Sequence, residues 1–198
     1  SEFWGSIARQ LAKENKKFKY NDIKKNARSN MYELAVEWLK NAGLIIIAKN
    51  IESPKIPLAA YASESKFKVY MHDVGLLAAK LNITPDQIVS PDALFKGFNG
   101  AFIENYVARE LLAAGYEQLF YWTSKSDAEV DFILPTNNQV FPVEVKSGTS
   151  LAMKSLQSYA KKYNPDKIIR ISPRNLTQSD KFINIPLYAI RVIENLHS

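Results

Sequence analysis

The stretch AEVDFILPTNNQVFPVEVKSG, residues 128–148, reads as two strands joined by a turn. If the two-residue turn is Asn137-Asn138, opposed residues carry numbers that add up to 275. Val130 then faces Val145, Phe132 faces Val143 and Leu134 faces Phe141. Side chains alternate along a strand, so that uniformly apolar face is expected in the core. The remaining face sets Asp131 opposite Glu144, and Glu129 opposite Lys146. Opposed carboxylates cost stability unless something compensates them, and a cation would. Glu129 and Lys146 also fit an ordinary cross-strand ion pair worth a fraction of a kcal/mol.

Outward from the hairpin, the chain has 198 residues, 46% hydrophobic and 12% aromatic, enough for one large domain or two small ones. It holds no cysteine, which excludes disulfides, thiolate metal sites and a cysteine nucleophile, and suits a reducing, cytoplasmic compartment. No apolar run reaches the length of a membrane span, so no membrane partner is expected. No signal peptide is expected from these residues. The opening Ser1-Glu2-Phe3 lacks Met, and the expectation is an excised fragment.

Net charge is +6 with an isoelectric point near 9.3. Two stretches carry most of the imbalance, residues 9–28 and residues 146–174. Each reads either as a solvated lysine-rich surface or as a track for phosphates.

Ahead of the hairpin, WGSIARQLAKEN places Ile7, Ala8 and Leu11 on one helical face. NDIKKNA suggests a short helix capped by Asn21. In NMYELAVEWLKNAG, Ser29 is the candidate cap, Tyr32, Ala35, Val36 and Leu39 point inward, and Gly43 stops the helix. LIIIAKN and KFKVYMHD follow as strands. Three helices and a two-stranded wing are the order of a winged helix, a module that docks DNA or other proteins. Arg28, Asn30, Glu33 and Glu37 would face outward on its third helix, which is not convincingly basic.

DVGLLAAKLNI makes another short helix, and the Pro and Gly signals between Thr84 and Asn99 mark a boundary. Two domains are expected, residues 1–84 and 85–198. The second opens with the helix GAFIENYVARELLAAGY, with Glu104 bordering its apolar stripe. LFYWTS, the hairpin, the helix SLQSYAKKYN, and the strands KIIRIS and INIPLYAI follow. That helix buries Leu156, Tyr159, Ala160 and Tyr163. The order α, β, β, β, α, β with one crossover indicates an α/β domain around a mixed sheet. Trp4, Trp38 and Trp122 read as packing residues, and Ser124, Ser126, Ser147 and Ser150 form no triad.

Metal-dependent phosphodiester hydrolysis needs hard oxygen ligands and a positive group near the developing charge. Asp131 and Glu144 could share one Mg²⁺ or Mn²⁺, Lys146 lies on the same face, and Glu104 would be a third carboxylate. Glu104, then Asp131, then the triplet Glu144-Val145-Lys146 resemble the PD-(D/E)xK nuclease superfamily in order and context. FIENYVARELL, YWTSKSDAEVDFIL, FPVEVKSG and KSLQSYAKKYNPDKIIRIS are similar to a domain of unknown function that follows the ATPase core in bacterial and archaeal AAA-type proteins. IARQLAKENKKFKYNDI, AVEWLKNAGLI and KVYMHDVGLL resemble the winged-helix part of that architecture.

The resemblance spans nearly the whole chain. It implies a winged-helix-like part followed by a restriction-endonuclease-like mixed sheet flanked by helices. The implied site is Glu104, Asp131, Glu144 and Lys146, with Glu129 as neighbour. Mg²⁺ or Mn²⁺ is the implied cofactor, and the implied partners are DNA and an N-terminal ATPase core of the same polypeptide. This chain has no G-x-x-x-x-G-K-[ST], so ATP would belong to that core alone. Some of these nucleases add Gln-x-x-x-Tyr on the following helix, whereas here Gln157 is followed four residues on by Lys161. A non-catalytic DNA- or protein-binding module that regulates or assembles the ATPase is the alternative, and oligomeric state stays open.

Overall fold

The computed structural model describes residues 2–11, 18, 33–89, 93–125, 128–136, 139–148 and 152–197. The expected helix over NDIKKNA, the Ser29 cap and the Asn137-Asn138 turn residues lie outside them. The chain divides into two compact units, each made from two stretches. One takes Ser1–Ile47 and Lys66–Arg109, the other Ala48–Ser65 and Glu110–Ser198.

The first unit draws on α1 (Glu2–Leu11), α2 (Glu33–Asn41), the start of β1 (Ile45–Ile51), most of β2 (Ala62–Met71), α3 (Val74–Lys80), α4 (Pro85–Val89) and the greater part of α5 (Ala93–Ala113). Its core joins Ile7 and Ala8 to Leu39, Ile45, Val69, Met71 and Leu77, with Ala35 and Val36 partly buried against them. These are the inward residues that helical spacing indicates for α1 and α2. Trp38 differs from expectation: it is 65% exposed, one turn from the exposed Leu34.

α2 stops at Gly43. The Leu44 amide reaches the Leu39 carbonyl and the Gly43 amide reaches Lys40, both at 2.9 Å. That bond pattern needs a left-handed residue, and Gly43 has φ +67°. A Cβ there would meet nothing within 4 Å, so a side chain is opposed by backbone conformation alone. Gly43→Ala is therefore expected to lower the unfolding free energy by about 1 kcal/mol in urea denaturation. An unchanged midpoint would refute this.

α5 begins at Ala93, so part of the expected boundary segment is helical, as is α4. Near its end Asn105 turns toward β2. Its Oδ1 accepts from the Met71 amide at 2.8 Å and its Nδ2 donates to the Met71 carbonyl at 2.9 Å. The side-chain amide thus satisfies both polar groups of one buried backbone position.

The second unit adds β3 (Leu119–Thr123), β4 (Glu129–Pro135), β5 (Val140–Val145), α6 (Lys154–Tyr163), β6 (Ile168–Ser172), β7 (Thr177–Gln178) and β8 (Phe182–Pro186). The strand order is β2-β1-β3-β4-β5-β6-β8-β7. Pairing is mixed: β3–β4, β4–β5 and β7–β8 are antiparallel, while β1–β3, β5–β6 and β6–β8 are parallel. The β5-α6-β6 crossover is the one the element order indicates. The wing-like strands are not a separate ribbon, because Ala48–Ile51 of β1 pair with Leu119–Trp122 of β3. The last expected strand is shorter, ending at Pro186 where a 3-10 segment, Leu187–His197, takes over.

The hairpin register is the expected one, with Phe132 opposite Val143 and Leu134 opposite Phe141. Both of its faces are buried, however. Ile133, on the second face, clusters with Leu156 and Tyr159 of α6 and with Trp122. Trp122 meets Tyr159 edge-on at 5.3 Å and Tyr163 at 5.7 Å. The charged residues of the hairpin therefore sit beside a covered surface, where a charge needs local compensation.

Candidate functional site

β3 and β4 slip by one residue. Phe120 pairs with Ile133 but Trp122 pairs with Val130, so Asp131 and Phe132 both face Tyr121. Such a bulge bends the strand and re-aims a side chain. Asp131, 3% exposed, turns its Oδ2 to the Val145 amide at 2.9 Å. Its carboxylate takes a backbone donor of β5 just past the last registered pair, Phe132 and Val143. The adjacent Lys146 amide is bound by the Ile171 carbonyl at 2.9 Å, which holds the end of β5 against β6.

Glu144 shares a strand face with Pro142, which lies opposite Ile133, and is 6% exposed. The ammonium of Lys146, two residues on, donates to Glu144 Oε1 at 2.6 Å. The expected Glu129–Lys146 pair gives way to this contact on one strand. Spacing of two puts Glu144 and Lys146 on the same face, and burial of the carboxylate makes the nearer ammonium its natural partner. Part of the compensation expected from a metal ion thus comes from the chain itself, through the Lys146 ammonium and the Val145 amide.

Glu104 belongs to the first unit, and its partners there were not legible in the sequence. Lys68 Nζ lies 2.9 Å from Glu104 Oε1, and the Tyr70 hydroxyl donates to the same oxygen at 2.6 Å. Lys68 and Tyr70 alternate on β2 and so present one face. Lys68 is 1% and Glu104 3% exposed. Among the described residues no group of three or more His, Cys, Asp or Glu side chains is arranged to hold a metal ion. Asp131 and Glu144 are carboxylates of the second unit, the donor type that hard divalent cations take.

Tyr121 lies under the bulge, fully buried, and its hydroxyl pKa is pushed up by burial first and by the charge of Glu129 second. In the unfolded chain the phenol ionises near pH 10. Above that pH the unfolded state loses a proton that the folded state keeps, so stability falls as pH rises. The expected loss from Tyr121 is about 1.4 kcal/mol per pH unit between roughly pH 10 and 11. It is checked by comparing the pH dependence of urea midpoints for the wild type and Tyr121→Phe. Equal slopes for the two proteins would contradict it.

Trp122 belongs to the packing, and Lys162 Nζ lies 5.8 Å above its ring. Gln157 is exposed on α6, and His72 is exposed as well. Among the described residues no helix is long and apolar enough to cross a membrane. Residues 99–190 match a family model described as Domain of unknown function (DUF4143), and residues 1–87 match one described as Domain of unknown function (DUF8612). No curated protein and no solved structure matches the chain.

Proposed function

We propose that residues 85–198 carry a nuclease-like site for phosphodiesters of DNA, built from Asp131, Glu144 and Lys146. The observation that carries this reading is the convergence at the end of β5. A buried carboxylate and an ammonium stand two residues apart, and a second carboxylate is anchored on the amide between them. Asp131 and Glu144 would hold Mg²⁺ or Mn²⁺, which when bound supplies a more acidic water and a Lewis acid for the phosphoryl oxygens. Lys146 places positive charge where the phosphate gains negative charge in the transition state. The bond from Asp131 to Val145 keeps one carboxylate in place before substrate arrives.

The resemblance to domains that follow AAA-type ATPase cores supports such a core as the partner, with DNA as the substrate. A mixed sheet with helices supports the restriction-endonuclease-like description, and the resemblance of residues 1–84 in sequence supports the winged-helix-like one.

The second reading is a non-catalytic module that binds DNA or the ATPase core. The Glu104–Lys68–Tyr70 cluster favours it, because it commits the helix carboxylate to an ion pair of its own unit. Plasmid nicking with Mn²⁺ separates the readings. The nuclease reading expects cleavage by the wild type and its loss in Asp131→Ala. If the wild type neither nicks DNA nor gains thermal stability from Mn²⁺, the second reading stands.

A further inference from the structure

One face of the sheet carries a row of buried polar residues across three neighbouring strands. Glu144 of β5 is the register partner of Arg170 of β6, and Arg170 is the register partner of Asn184 of β8. Register partners share a face, and their strands run about 5 Å apart. Arg170 is 3% exposed and Asn184 is fully buried. Leu156 and Tyr159 of α6 pack onto Ile133 on the face that holds Glu144, so water screens these charges little.

The guanidinium is held in place. Its Nε donates to Asn184 Oδ1 at 2.7 Å, and its carbon lies 5.1 Å from the centre of the Phe182 ring. The same Asn184 oxygen accepts from the Ser172 hydroxyl at 2.7 Å, and Nδ2 donates to the carbonyls of Arg174 and Asn175 at 3.1 and 2.9 Å. Both ends of that amide are occupied, which holds it in one orientation. Asn184 is neutral, so it fixes the charge of Arg170 without offsetting it. The carboxylate that the register brings alongside is Glu144, which puts the two charges on the order of 10 Å apart.

Asp131 and Glu144 supply two negative charges at the end of β5, and Lys146 supplies one positive charge 2.6 Å from Glu144. Arg170 supplies the second. We propose that Arg170 is a positioning residue of the Asp131–Glu144 site. Its fixed, buried charge offsets the carboxylate pair across the sheet and loosens the hold of that pair on a lone divalent cation. The inference rests on the metal reading of Asp131 and Glu144, and it needs no contact between Arg170 and substrate. A unit charge that far from a divalent cation changes its affinity about tenfold or more at the effective dielectric of a protein.

The full 198-residue chain is titrated with Mn²⁺ by calorimetry, beside Asp131→Ala to subtract binding elsewhere. Arg170→Gln removes the charge but keeps a nitrogen donor where Nε meets Asn184, and Arg170→Lys keeps the charge. Arg170→Gln is expected to bind Mn²⁺ about tenfold or more tightly than the wild type, and Arg170→Lys within about threefold of it. An arginine that serves packing alone predicts the opposite sign, because a loosened β5–β6 edge weakens binding. Equal or weaker binding by Arg170→Gln therefore overturns the proposal, and nicking by the wild type in that case leaves the nuclease reading standing. Arg170→Met repeats the neutral substitution should Arg170→Gln fail to fold. If neither the wild type nor any Arg170 variant takes up Mn²⁺, the metal reading of the carboxylates fails and the role of the arginine falls with it.

Discussion

Glu104→Ala is expected to lower the unfolding free energy by about 3–5 kcal/mol, the cost of leaving a buried charge without its partner. The magnitude follows from burial on both sides: the Lys68 side chain is 1% and the Glu104 side chain 4% exposed, with 2.9 Å between nitrogen and oxygen. Removing the carboxylate takes from the Lys68 ammonium its acceptor at 2.9 Å and from the Tyr70 hydroxyl the acceptor it reaches at 2.6 Å. The double variant Lys68→Met, Glu104→Leu removes both charges while keeping volume, and should lie within about 1–2 kcal/mol of the wild type. Urea denaturation of the two variants measures the difference. A Glu104→Ala protein within about 1 kcal/mol of the wild type would falsify the buried-pair account. The same double variant separates structure from chemistry: if it folds and still nicks DNA, Glu104 has no part in the reaction.

What the sequence disclosed, and what it hid, follow from the range of the interactions. Local signals held. Gly43 ends α2 because left-handed backbone there follows from residue type and the preceding helix. Leu156 and Tyr159 are buried because a helical stripe declares its inner face. The hairpin register was legible because in two antiparallel strands each pair fixes the next.

The site depended on residues far apart in the chain. Lys68 and Glu104 are 36 positions apart and nothing local links them. Asp131 reaches Val145 because a bulge opposite Tyr121 turns it, and a bulge leaves no mark in alternating hydrophobicity. The parallel pairing of β1 with β3 is equally silent, because parallel partners share no turn that would announce them. Exposure of Trp38 shows the converse: an aromatic at helical spacing does not declare whether anything covers it.

Lys146→Ala is expected to reduce Mn²⁺-dependent nicking by about 10²–10³-fold, the usual effect of deleting one group that stabilises transition-state charge. The ammonium lies 2.6 Å from Glu144 Oε1 and the side chain is 28% exposed, so the carboxylate holds the ammonium while the side chain as a whole stays partly open to solvent. The substitution also removes a charge-assisted bond from a nearly buried carboxylate, which should destabilise the fold by about 1–3 kcal/mol. The two effects are separated by measuring nicking well below the unfolding midpoint of the variant. Lys146→Arg then discriminates further. It keeps the charge but replaces a compact ammonium with a wider planar fork, so it should restore most of the stability and only part of the rate. A Lys146→Ala protein that nicks at the wild-type rate removes this ammonium from the chemistry. The contact with Glu144 would then be an internal ion pair, and the case for the binding module would rest on both carboxylates already being compensated within the protein.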